Sequence, residues 1–150
     1  MVEVKIKIKL KKIVSEAVIP TYSTEGDAAM DLTAVSKVVD TFGNRVYGTG
    51  LAIEIPRGYV GLIFPRSSIS KYNLGLTNCV GVIDSGYRGE IICKFKKLSE
   101  NMFHNNTTDY NIGDRVAQIM IIPVPEITFI ETSDLSSSER GEGGYGSTGK

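Results

Sequence analysis

The chain is poor in the residues that metal clusters and disulfide scaffolds require. Its 150 residues include two cysteines, one histidine and no tryptophan. Cys79, Cys93 and His104 cannot make a zinc site with the usual ligand spacing. The two cysteines admit either a disulfide or a pair of reduced thiols packed on strands, and the second reading is favoured. Net charge is also missing. Lys and Arg number 17 and Asp and Glu number 17, so no overall field draws the chain to nucleic acid or membrane. No apolar run nears the roughly 20 residues that span a bilayer. The lysine-rich N-terminus lacks the uninterrupted apolar core of a signal peptide. The expectation is an intracellular protein, cytoplasmic or nuclear, long enough for one domain with a real core.

The chain does contain many short β-type runs. Residues 2–10 alternate apolar and charged, the period of a strand with one buried face. Further strands are expected at 31–35, 38–42, 51–55, 60–64, 79–83, 90–95, 116–122 and 127–130. Turn signals separate them, among them Gly43-Asn44, Pro56-Arg57-Gly58 and Gly113-Asp114. Short strands joined by Gly- and Pro-rich turns predict an all-β sandwich, jelly roll or barrel. One short helix is expected at about 67–72, with Ser67 or Ser68 as its cap. The last twenty residues, rich in Ser and Gly, cannot build a core. Their glycines, hydroxyls and single arginine suit a segment that wraps an anion. The Walker-type spacing is absent.

Five blocks carry polar residues that strand packing does not require. Ala28-Ala29-Met30-Asp31-Leu32 sets a carboxylate between apolar neighbours. Pro65-Arg66-Ser67-Ser68 sets a guanidinium and two hydroxyls at the expected helix start, an anion-binding combination. Gly81-Val82-Ile83-Asp84-Ser85-Gly86-Tyr87-Arg88-Gly89-Glu90 reads as a β-hairpin whose tip holds a general-base candidate, Asp84, beside the flat ring of Tyr87. Gly113-Asp114-Arg115-Val116-Ala117-Gln118 is the fourth block. The fifth is the tail, with Arg140, Tyr145 and the run Gly146-Ser147-Thr148-Gly149. Taken singly, each block has an ordinary structural reading as a turn, a surface ion pair or a strand edge.

Together, in this order and at these spacings, the five blocks resemble the five motifs of the trimeric dUTP pyrophosphatase (dUTPase) family, from about residue 13 to the C-terminus. The resemblance implies a distorted jelly-roll or β-barrel of the β-clip kind, spanning residues 1–132. It implies a flexible Gly-rich arm, residues 133–150, that closes over the site. It implies a homotrimer with sites between subunits, and hydrolysis of dUTP to dUMP and pyrophosphate with Mg²⁺. Such an activity lowers dUTP, which keeps uracil out of DNA, and supplies dUMP for dTMP synthesis.

By the same resemblance, Asp84 is the base that activates water for attack on the α-phosphorus. Asp31 organises the water shell of the metal, and Gln118 positions water or phosphate. Arg66, Ser67 and Ser68 contact the phosphates. Asn78 hydrogen-bonds the base, and the backbone near Gly81 reads uracil. Tyr87 stacks under the deoxyribose, leaving no room for a 2′-hydroxyl. Arg140 reaches the γ-phosphate, Tyr145 covers the uracil, and Gly146, Ser147 and Thr148 close on the phosphate chain. Arg115 is expected to be structural, at the trimer interface. Ser68 stands where a Gly is common in the family and Tyr145 where Phe is. Asp27 has no account at the level of sequence. The alternatives are a dCTP deaminase-like enzyme and a non-catalytic nucleotide-binding module on the same fold. Deamination needs a glutamate at the position that Lys94 occupies.

Overall fold

The computed structural model describes residues 5–99, 109–147 and 149. His104 and the first residues of the expected N-terminal strand lie outside them. The described residues form three antiparallel sheets. One has the order β2 (Met30–Thr33), β10 (Arg115–Pro123), β6 (Tyr59–Phe64), β8 (Gly81–Ile83). A second has the order β3 (Ser36–Val39), β4 (Arg45–Gly48), β9 (Ile92–Lys97), β7 (Leu74–Leu76). A two-stranded ribbon pairs β1 (Lys9–Lys12) with β5 (Leu51–Glu54). This is an all-β, jelly-roll-like architecture. None of the described helices is long and apolar enough to cross a membrane.

The core lies between the sheets. Leu32, Ile63, Ala117 and Ile119 face it from one side, and Tyr47, Leu74, Cys93 and Phe95 from the other. Part of it is an aromatic cluster. The Tyr47 ring meets Phe95 edge-on at 5.8 Å and Tyr110 at 6.0 Å. Such pairs contribute about 0.5–1.5 kcal/mol each beyond burial alone. The Tyr47 hydroxyl donates to the Tyr110 carbonyl at 3.0 Å, which satisfies an otherwise costly buried polar group. Burial pushes its pKa up to about 12.

Four expectations need correction. The segment around Asp84 is not a simple hairpin, because β8 pairs with β6 while β9 pairs with β4 and β7. The chain turns at Asp84, where the Tyr87 N–H donates to the Asp84 carbonyl at 3.1 Å. Ile91, whose N–H donates to the Leu51 carbonyl of β5 at 2.8 Å, then leads into β9 of the other sheet. The expected helix is a 3-10 helix, Ser67–Lys71, and no side chain caps it. Residues 127–130 form no strand, because no strand of the described residues pairs with them. Two strands, β4 and β7, were not expected, and β1 is confined to Lys9–Lys12.

Both thiols are free. Cys79 is exposed and Cys93 is buried, and burial pushes the Cys93 thiol up to about 12. Only thiolate reacts with alkylating or disulfide reagents. Titration of the native protein with a disulfide reagent near pH 8 is therefore expected to modify Cys79 alone, with Cys93 reacting only on unfolding. Modification of both at similar rates in the native state would contradict the buried placement of Cys93.

Candidate functional site

The register of β10 assembles the first cluster. Gln118 lies opposite Asp31 on one side and opposite Phe64 on the other. Directly opposed residues share a face of the sheet. The next row, Met30, Ile119 and Ile63, faces the core, so Asp31 and Gln118 face away from it. A slip of one residue would drive both into the core. The chain leaves β6 through Pro65, which delivers Arg66 beside this row.

The contacts here are close. Asp31 Oδ1 accepts from Arg66 Nε at 2.7 Å, and Asp31 Oδ2 lies 3.3 Å from Arg115 Nη1. Arg66 Nη1 also donates to Ser68 Oγ at 3.3 Å. Gln118 Nε2 donates to the Pro65 carbonyl at 3.0 Å, tying the strand to the loop. One carboxylate between two guanidiniums leaves the cluster with a local charge of +1, suited to an anion. It borders an open groove of about 720 Å³ lined by Asp27, Asp31, Arg66, Ser67 and Gln118, among others. Arg115, expected to be structural and at a trimer interface, pairs with Asp31 within its own chain. A β-bulge between Arg115 and Ala117 explains how. Without the extra residue Arg115, three positions before Gln118, would point to the opposite face. Nothing in the sequence marks the bulge, so the Arg115–Asp31 pair was not legible there. Asp27 is explained by a local turn. Its carboxylate accepts from the Thr24 N–H at 2.9 Å and the Thr24 hydroxyl at 2.7 Å, and these bonds hold its pKa below the usual value.

The second cluster sits at the end of β8. Asp84 is exposed there, and its carboxylate makes no hydrogen bond or ion pair among the described residues. It lines a separate groove with Tyr59, Val60, Val82 and Ser85. The Tyr87 ring lies across Gly89, where an added Cβ would sit 2.5 Å from the Tyr87 hydroxyl, and that hydroxyl donates to the Glu90 carbonyl at 2.9 Å. Only glycine at position 89 admits this ring position. The preceding turn holds Asn78 and Cys79. Cys79 takes a left-handed conformation (φ 60°), uncommon outside glycine. Asn78 Nδ2 would lie 3.5 Å from a Cβ at Gly81, and no hydrogen bond joins Asn78 to Asp84 among the described residues.

The tail forms the third group. Successive turns carry it, and its bonds are local. Arg140 Nε donates to the Gly143 carbonyl at 2.8 Å, and the Ser147 N–H donates to the Gly144 carbonyl at 3.1 Å. Tyr145 is fully exposed with φ 42°, and Gly146 follows with φ 87°. Thr148 lies outside the described residues.

Among the described residues, one chain does not join these groups by any hydrogen bond or ion pair. Asp84 continues β8 past Ile83, which pairs with Gly61 near the start of β6. Arg66 lies two residues beyond the other end of that strand. Six residues of extended chain separate Val60 from Arg66, about 20 Å. Among the described residues no cluster of three or more His, Cys, Asp or Glu could hold a metal. Asp31 offers one carboxylate whose oxygens are each already paired. That donor set fits an ion held by substrate phosphates and water, with Asp31 acting through water, and does not fit a protein cage.

The dUTPase family model matches residues 15–149, and the chain belongs to that family. It is 44% identical over 146 residues to the deoxyuridine 5'-triphosphate nucleotidohydrolase of Nautilia profundicola, covering 96% of this chain and 99% of that one. The enzyme of the same description from Cutibacterium acnes is 41% identical over 132 residues, covering 87% of this chain and 84% of its own. Among solved structures, Staphylococcus bacteriophage 80alpha dUTPase with dUPNHPP superimposes with a TM-score of 0.81 at 28% identity, covering 96% of this chain and 99% of that chain.

Proposed function

We propose that this protein is a dUTP diphosphatase that hydrolyses dUTP to dUMP and pyrophosphate, and that it works as a homotrimer whose sites lie between copies. The observation that carries the reading is the state of Asp84. Its carboxylate is exposed and untied among the described residues, as a base that must reach water requires, while Asp31 is tied between two arginines. Family membership and the relatives' names supply the substrate. Asp84 takes a proton from water as that water attacks the α-phosphorus, an action that contributes about 10²–10⁴ in rate. Arg66, Ser67 and Ser68 bind the phosphates, and Gln118 positions them. The backbone at Gly81, with Asn78 nearby, reads the uracil edge, and Tyr87 lies under the sugar. Arg140, Tyr145, Gly146, Ser147 and Thr148 close over the bound nucleotide and exclude water. When bound, Mg²⁺ neutralises the charge of the triphosphate, with Asp31 as its water-mediated anchor. Lowering dUTP and supplying dUMP are the consequences in the cell.

The separation of the two clusters supports the trimer, because a base at one end of β6 can meet phosphate contacts only from another copy. Exposed Ile127, Phe129 and Ile130 support it too. They are 68%, 95% and 86% exposed, an apolar run that a neighbouring copy would cover. The deaminase alternative lacks its carboxylate: Lys94 on β9 pairs with Asp40 at 3.7 Å.

The primary test is pyrophosphate release from dUTP, dTTP, dCTP and UTP with Mg²⁺. Turnover of dUTP alone is expected, reduced about 10²–10⁴-fold by Asp84→Asn. No release from dUTP, or ammonia from dCTP, would overturn the reading. Co-expression of Asp84→Asn copies with Arg66→Ala copies tests the shared site. Each variant alone is expected to be nearly inactive, and random mixing restores about a quarter of the sites. Absence of recovery in trimers verified to be mixed would put both residues of each site in one chain. Deletion of residues 133–150 is expected to leave a folded trimer with almost no turnover. Loss of the trimer in ultracentrifugation would make this segment structural.

A further inference from the structure

Glu90 stands between two parts of the molecule that the proposed mechanism does not connect. One is the turn from β4 to β5. Gly48, Thr49 and Gly50 are buried there, and Gly50 takes a left-handed conformation (φ 66°). The Val35 N–H donates to the Gly48 carbonyl at 2.8 Å, and the Ile13 N–H donates to the Gly50 carbonyl at 2.7 Å. A Cβ at Gly50 would meet Val14, Val35 and Ala17 at 2.7, 3.0 and 3.1 Å, so the turn is tightly held. A buried backbone N–H needs an acceptor. That of Gly50 finds it in the half-buried side chain of Glu90, with Oε1 at 2.8 Å. The same oxygen fills the space beside Gly48, where an added Cβ would sit 2.6 Å from it.

The other part is the ring of Tyr87. It is 42% exposed, and exposed side chains change rotamer within nanoseconds unless a contact holds them. This ring is held by the bond from its hydroxyl to the Glu90 carbonyl at 2.9 Å, across Gly89. Gly86 and Gly89 add no stiffness to the backbone on either side of it, so the ring is placed no better than that carbonyl is. The carbonyl shares a peptide plane with the Ile91 N–H, which donates to the Leu51 carbonyl at 2.8 Å. One bond lets the plane swing about its axis. The Glu90 side chain, fastened to Gly50, removes the swing. We propose that Glu90 is a positioning residue for sugar selection: its carboxylate ties it to the β4–β5 turn, and its carbonyl thereby fixes the Tyr87 ring in the space that a 2′-hydroxyl would need. The proposal rests on the reading of Tyr87 as lying under the deoxyribose.

The test is steady-state hydrolysis of dUTP and UTP by the full chain with Mg²⁺, read as the ratio of their kcat/KM values. Thermal unfolding at one fixed protein concentration checks that each variant folds. Glu90→Ala is expected to lower the ratio about three- to tenfold, the worth of one hydrogen bond, by raising kcat/KM for UTP relative to that for dUTP. Glu90→Gln keeps an oxygen that accepts from Gly50 and is expected to retain the wild-type ratio. In a Tyr87→Ala background, Glu90→Ala is expected to change the ratio no further, since the ring is gone. A residue that only closed the turn would slow both substrates alike and leave the ratio unmoved. That outcome would overturn the proposal, as would Glu90→Gln behaving like Glu90→Ala, or an equal drop with and without the Tyr87 ring. Should Glu90→Ala fail to fold, Glu90→Asp, one methylene short of Gly50, replaces it with the same expectation. If wild type does not prefer dUTP to UTP, or Tyr87→Ala leaves the preference intact, the reading of Tyr87 is what fails, and the proposal falls with it.

Discussion

The pairing of β10 between β2 and β6 is the constraint on which the rest depends. It is the longest strand of the described residues, and it spaces two rows of side chains that must do opposite things. Met30, Ile119 and Ile63 close the core; Asp31, Gln118 and Phe64 face outward beside the loop that carries Arg66. Strand periodicity makes these rows inseparable. The apolar row that stabilises the fold thereby fixes the polar row to within the tolerance of a β-ladder. The bulge before Ala117 adds Arg115 to the outward row without disturbing the inner one.

Electrostatics follow from that geometry. A lone arginine on a flexible loop loses side-chain freedom when it takes an anion. Arg66 is already ordered by Asp31, Ser68 and the Arg115 carbonyl. Asp31 offsets one of the two positive charges, which leaves the cluster attractive to phosphate while limiting repulsion between the guanidiniums. The same carboxylate is thus a poor candidate for proton transfer. Asp84, with no cation on it, is the better one.

Much of this was legible in the sequence where the signal was local. The turn at Asp84, the ring at Tyr87, the Arg66 loop and the turn before Arg115 each announce themselves in a few adjacent residues. The failures all involve pairing over distance. Residues 127–130 have the composition of a strand, but strand propensity records a fit to neighbours more than a backbone preference, and the described residues supply no neighbour. The turn after Asp84 was read correctly, yet its flanking strands go to different sheets because β8 pairs with β6 while β9 pairs with β4 and β7, partners distant in sequence. β4 was missed because Arg45-Val46-Tyr47-Gly48 shows no alternation. Its strand character comes from β3 and β9 on either side and from the burial of Tyr47.

The distance between the clusters has a chemical consequence. Among the described residues of one chain Asp84 pairs with no cation, and the two arginines bound to Asp31 lie beyond the other end of β6. In the proposed shared site, bringing the positive cluster of one copy to the Asp84 turn of another sets its charge on the phosphate and leaves the Asp84 carboxylate untied. It also supplies the charge against which a phosphate can sit while water is deprotonated beside it. On the proposed reading, neither half runs the reaction alone. On that reading, the assembly that covers the exposed apolar segment after β10 also brings the candidate base and the cationic cluster into one site. The stability of the interface and the competence of the site are then set by the same contacts.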